Sequence, residues 1–140
     1  RTATVKNLSL TFISRTPTTA SRVYRLDSID LGSYRDCNYV LVGYVEPEPD
    51  ADSAYDPADD AENYGWSLVR TANSPLDDND EIVRMDTRHG QPHLDRVFLP
   101  PDSDEPRKRW VENGFSYRRM RDYLLQQWQA FADLYIRYNE

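Results

Sequence analysis

Apolar and polar positions alternate through the first two-thirds of the chain and settle into a helical stripe in the last third. Leu8, Leu10 and Phe12 alternate with Ser9 and Thr11, which predicts a half-buried strand over residues 4–13, broken by the turn-like cluster around Pro17. Ser21 to Leu31 reads as a second, less regular strand closed by Gly32-Ser33. Cys37 to Val45 is the most apolar run, and its β-branched and aromatic content predicts a strand buried on both faces and central in the sheet. Tyr64 to Arg70 predicts a fourth strand, followed by a turn at Ser74-Pro75 and Asp77 to Asp80. Glu81 to Asp86 and Pro92 to Leu99 flank a His89-Gly90 corner and predict a hairpin, after which Pro100-Pro101 is expected to end the sheet.

In the last third, Tyr117, Met120, Leu124, Trp128, Phe131, Tyr135 and Tyr138 follow one another at intervals of 3, 4, 4, 3, 4 and 3 residues. That spacing holds one face of a helix, with Ser116 as its N-cap, and core packing explains the aromatic stripe better than base stacking does. The prediction is therefore an α+β fold in a single domain over residues 1–140. It is a mostly antiparallel meander sheet of about six strands with a long C-terminal helix packed on one face.

Composition changes the picture at one place. Residues 46–63 carry three prolines, five Asp and three Glu without apolar periodicity, which predicts an acidic solvated loop or insertion. The chain as a whole carries a net charge of −7, with 15 Arg against 2 Lys and 17 Asp against 7 Glu. An Asp-rich, Lys-poor surface is expected of a protein adapted to a high-salt cytoplasm, where screening relieves the repulsion among carboxylates. Cys37 is the only cysteine, so no internal disulfide forms, and a reducing compartment is the simpler expectation. No apolar run approaches the roughly 18 residues of a membrane span, and Lys6-Asn7 and Ser9 interrupt any signal-peptide pattern.

The candidate chemistry lies in Val83 to Leu99, which holds both histidines of the chain. Asp86-x-x-His89 and His89-x-x-x-His93 supply two imidazoles that titrate near neutrality and a carboxylate to orient one of them. Arg84, Arg88 and Arg96 are suited to holding a phosphate or a developing oxyanion through paired hydrogen bonds. The same groups would serve a metal, but Gly90 and Pro92 forbid the helix that aligns histidines four apart, and no thiolate or third histidine is present. A third reading has the histidines satisfying backbone groups at a tight corner where Gly90 supplies a positive φ. Arg107-Lys108-Arg109-Trp110 and Arg118-Arg119-Met120-Arg121 form the nearest thing to a basic patch, read either as a phosphate-tracking surface or as a solvated face paired with nearby carboxylates. No phosphate loop, dinucleotide fingerprint, nucleophile elbow or zinc-finger spacing occurs.

Arg84-x-Asp86-x-x-His89-Gly90-x-Pro92-His93-x-Asp95-Arg96, with strands before it and a long helix after, resembles the TumE family of small toxins over residues 64–138. Asp86, His89, Gly90 and His93 match, while Asp95 stands where many relatives carry another histidine, and the acidic loop is longer than the family's. The resemblance implies a cytoplasmic toxin of a toxin–antitoxin pair whose partner is a small helix-turn-helix antitoxin. With the His/Arg chemistry, the toxin role implies RNA as target and a metal-independent ribonuclease that needs no cofactor. Its catalytic residues would be His89, His93 and Asp86, and Arg84, Arg88 and Arg96 would bind substrate. A homo-oligomer is compatible with the sequence, and no membrane partner is expected. The alternative is a non-catalytic protein-interaction module of a halophile, with the His-Gly hairpin purely structural.

Overall fold

The computed structural model describes residues 24–46, 61–71 and 81–139, with every side chain among them except that of His89. The predicted strand at 4–13, the turn after Arg70 and nearly all of the acidic loop lie outside these residues. Six strands form one antiparallel sheet in chain order: β1 (Tyr24–Tyr34), β2 (Cys37–Glu46), β3 (Asn63–Arg70), β4 (Glu81–Asp86), β5 (His93–Asp95) and β6 (Lys108–Trp110). A single 3-10 turn at Arg88–Gly90 joins β4 to β5, and α1 (Tyr117–Asn139) follows the sheet. The α+β meander is thus present, and among the described residues each β-strand pairs only with its sequence neighbours. No helix among the described residues is long and apolar enough to cross a membrane.

Each turn follows from local chemistry. Arg35 and Asp36 both adopt positive φ (50° and 69°) between the paired residues Tyr34 and Cys37, which is the two-residue turn whose twist matches the flanking strands. Gly32, at φ 85°, sits at a register shift in β1, where its amide donates to Asp30 Oδ1 at 2.9 Å. β2 lies between β1 and β3 and is buried from Tyr39 through Glu46, as a strand covered on both faces should be.

The sheet departs from expectation at its far end. β5 stops at Asp95 instead of running to Leu99: Phe98 and Leu99 both join the helix-side core, and adjacent residues of one strand cannot share a face. A turn, with the Leu99 amide bonded to the Arg96 carbonyl at 3.1 Å, sends both side chains into the core. Nor do Pro100-Pro101 end the sheet. They begin an excursion that returns as β6, where the Arg96 amide donates to the Arg107 carbonyl (2.8 Å) and the Val111 amide to the Pro92 carbonyl (3.0 Å).

Alternation assigns the faces. Tyr39, Leu41, Val45, Trp66, Leu68, Met85 and Leu94 point to one side and form the main core with Tyr117, Met120, Leu124, Phe131 and Ala132 of α1. Ser116 caps α1, its Oγ accepting from the Arg119 amide at 3.1 Å. The helix is docked at both ends. The Trp66 indole donates to the Tyr117 carbonyl (3.0 Å) near its start, and Tyr34 and Arg35 bond Asp133 (3.1 and 2.7 Å) towards its end. Gly43 is required here: a Cβ at that position would collide with the Tyr117 hydroxyl and the Trp66 ring. The predicted stripe is the buried one at Tyr117, Met120, Leu124 and Phe131, while Trp128 and Tyr135 are half-buried and Tyr138 is exposed.

Candidate functional site

The opposite face of the same strands carries Val40, Val42 and Val69 as a small apolar cluster and, beside it, a group of charged side chains. The group follows from two alternations. Arg84-x-Asp86 places both residues on one face of β4, His93-x-Asp95 does the same on β5, and the register sets Arg84 opposite Asp95 and Asp86 opposite His93. Two cations and two anions therefore form a rectangle in which every edge joins opposite charges.

Distances bear this out. His93 Nε2 lies 3.0 Å from Asp86 Oδ1 and 3.4 Å from Asp95 Oδ2, and Arg84 Nε is 3.4 Å from Asp95 Oδ2 and 3.7 Å from Asp86 Oδ2. Arg84 also reaches Glu81 (3.7 Å), whose other oxygen accepts from the Ser67 hydroxyl at 2.8 Å. From β2, the Tyr44 hydroxyl donates to Asp86 Oδ2 at 3.0 Å, passing over Gly65. A Cβ at Gly65 would stand 2.5 Å from Asp86 Cβ and 2.7 Å from the Tyr44 oxygen. The 3-10 turn supplies one more donor, the Arg88 amide to Asp86 Oδ1 at 3.1 Å.

The protonation state of His93 follows from its partners. Nδ1 is 3.0 Å from the Gln91 carbonyl, an acceptor only, so Nδ1 carries hydrogen. Nε2 faces two carboxylates, so it carries hydrogen as well, and the ring is an imidazolium. Burial alone would lower its pKa, but hydrogen bonds to Asp86 and then Asp95 outweigh that and raise it to about 10. For Asp95, burial pushes upward and is overcome by the bond from His93 and the charge of Arg84, leaving the carboxyl below its usual value. The Tyr44 hydroxyl is held well above its ordinary range, first by burial and then by the charge of Asp86.

Of the residues singled out in the sequence, Arg84, Asp86 and His93 come together here. Arg88 lies beside them but bonds Glu46 at 3.1 Å. Arg96 points away, to Glu105 (3.1 Å) and the Pro106 carbonyl. The His89 side chain lies outside the described residues. Sequence reading missed Tyr44, Glu81, Ser67 and Asp95 as members of the group. For Asp95 the signal was available in the repeated charge-x-charge spacing of the two strands, whereas Tyr44 is 42 positions from Asp86 and joins through strand register alone. The arginines at the start of α1, which oppose its dipole, are compensated within the chain: Arg119 by Glu112 (3.4 Å) and Arg121 by Asp122 (3.0 Å).

No protein-family model, curated protein or solved structure matches this chain.

Chemically, the group is a closed ionic lock. An imidazole that stays charged to about pH 10 does not accept a proton near neutrality, and its side chain is only 2% exposed. Asp86, His93 and Asp95 do bring one ligand atom each within 4.8 Å of one another. That is a His-carboxylate donor set, which a divalent ion would occupy only if Nε2 gave up its proton and Arg84 moved off the carboxylates.

Proposed function

We propose that this chain is a non-catalytic protein-interaction module in which the His-Gly hairpin serves to lock the far end of the sheet. The observation that carries this reading is the commitment of His93, with one ring nitrogen on the Gln91 carbonyl and the other on Asp86, inside a buried group. Arg84, Arg88 and Arg96 bond carboxylates of this chain, so a substrate phosphate would have to displace them.

The competing reading is a TumE-like ribonuclease toxin. It is favoured by the Asp86–His93 contact, which is how a carboxylate orients a catalytic imidazole. His93→Gln and His89→Ala separate the two. As an interaction module, the chain loses stability in the first variant, keeps partner binding in the second, and cleaves no RNA in either or in the parent. RNA cleavage by the parent that disappears in His89→Ala, with the melting temperature unchanged, overturns the module.

A further inference from the structure

Building on that reading, we infer that the outer edge of β6 is a docking strand for an extended acidic segment of a partner protein. Among the described residues β6 is the last strand of the sheet, with β5 on one side. Its backbone parity is fixed by two bonds: Arg96 amide to Arg107 carbonyl, and Val111 amide to Pro92 carbonyl. In an antiparallel pair the residues facing the partner alternate, so Arg107, Arg109 and Val111 address β5. The amides and carbonyls of Lys108 and Trp110 consequently face outward, spaced to receive another strand.

The side chains along this edge select the occupant. Lys108 and Trp110 stand on the lock side of the sheet, with the ammonium 5.4 Å from the indole centroid, and exposed Arg109 stands on the other. Trp110 is 53% exposed, more than any other large apolar side chain among the described residues. Its ring is held edge-on to His93 at 5.4 Å, so the lock fixes the position of the docking strand. A second copy of β6 would bring Arg107, Lys108 and Arg109 against the same charges and be repelled, whereas a strand with carboxylates at adjacent positions meets Lys108 on one face and Arg109 on the other. Single-stranded RNA would find charge and one stacking ring here, but it would leave the outward amides and carbonyls without partners. Those backbone groups favour a peptide.

The test uses this chain at 0.1 M salt, titrated with a ten-residue peptide of Glu-Asp pairs separated by Val-Thr pairs, which carries carboxylates on both faces of a strand. Its controls are the same peptide with Lys for the acids and a ten-nucleotide oligouridine. Amide hydrogen exchange and NMR shifts report the site. Binding of the acidic peptide alone, with slowed exchange at Lys108 and Trp110, is the expected result. Lys108→Ala should weaken binding a few-fold by loss of charge, and Lys108→Pro about tenfold more, because proline removes an outward donor while sparing the bonds to β5. Should Lys108→Pro fail to fold, Trp110→Ala combined with Arg109→Glu takes its place, with the same loss expected. Equal binding by the parent and these variants, protection elsewhere, or binding of oligouridine alone overturns the edge proposal. Acidic-peptide binding at another surface leaves the module reading intact, whereas cleavage of the oligouridine removes that reading as well.

Discussion

On the helix side of the sheet, Trp66, Leu68, Met85 and Leu94 pack against Tyr117, Met120 and Leu124. On the other side of the same strands, Ser67 bonds Glu81, and Glu81, Arg84, Asp86, His93 and Asp95 pair with one another. The first set attracts without direction, and almost any apolar residues of the right volume would hold α1 in place. The second set is directional: Asp86 has to meet His93, Tyr44 and the Arg88 amide at once. A one-residue slip of β4 would put Arg84 and Asp86 under the helix and Met85 among the charges. The apolar face thus holds the helix without choosing a register, and the ionic face adds a penalty against every register but one.

Breaking the ionic face at one point should cost most. Asp86→Ala leaves the His93 imidazolium and the Tyr44 hydroxyl buried without their shared acceptor, and about 3–5 kcal/mol is expected. Urea denaturation measures it, and a loss below about 1 kcal/mol would mean that water reaches the group. Leu124→Ala on the helix face should cost about 2–5 kcal/mol through lost burial and the cavity left behind. A sharper contrast comes from pH. His93 has a folded-state pKa near 10 against an ordinary 6.5, so its stabilisation is complete below about pH 6.5 and is lost as pH rises through 10. Stability followed from pH 6.5 to 10 should fall in the parent beyond any decline in His93→Gln, and parallel curves would show that the ring is neutral in the folded state. The smallest effect belongs to Arg35→Ala, which removes an exposed ion pair with Asp133 and should leave the denaturation midpoint unchanged within error.

The two faces were not equally legible in the sequence. The helix side announces itself, because a seven-residue stripe at intervals of three and four has no common alternative reading. β2 was equally plain, since nine consecutive positions from Cys37 to Val45 contain only two polar residues or glycines outside its apolar set: Asn38 and Gly43. β6 was missed because Lys108-Arg109-Trp110 has neither length nor apolar alternation, and pairing with β5 is what makes it a strand. The lock was half visible. Residue type alone picks out Arg84, Asp86 and His93, but whether they are open to a substrate is decided by strand register and burial. Tyr44 was hidden inside an apolar run, since its ring suits a buried strand whatever its hydroxyl touches.

Placement of α1 after the six described strands has a consequence for how the protein is made. Each strand pairs with its neighbour in sequence, so the sheet can zip hairpin by hairpin as the chain leaves the ribosome. Its apolar face must wait for Tyr117 to Phe131, and the clasp of Tyr34 and Arg35 on Asp133 spans 98 to 99 positions. Until that last segment emerges, the nascent sheet presents Trp66, Leu68 and Met85 to whatever is nearby. A translational pause or truncation before α1 would therefore release an aggregation-prone sheet, and the ordering makes emergence of that helix the step at which the apolar face is covered.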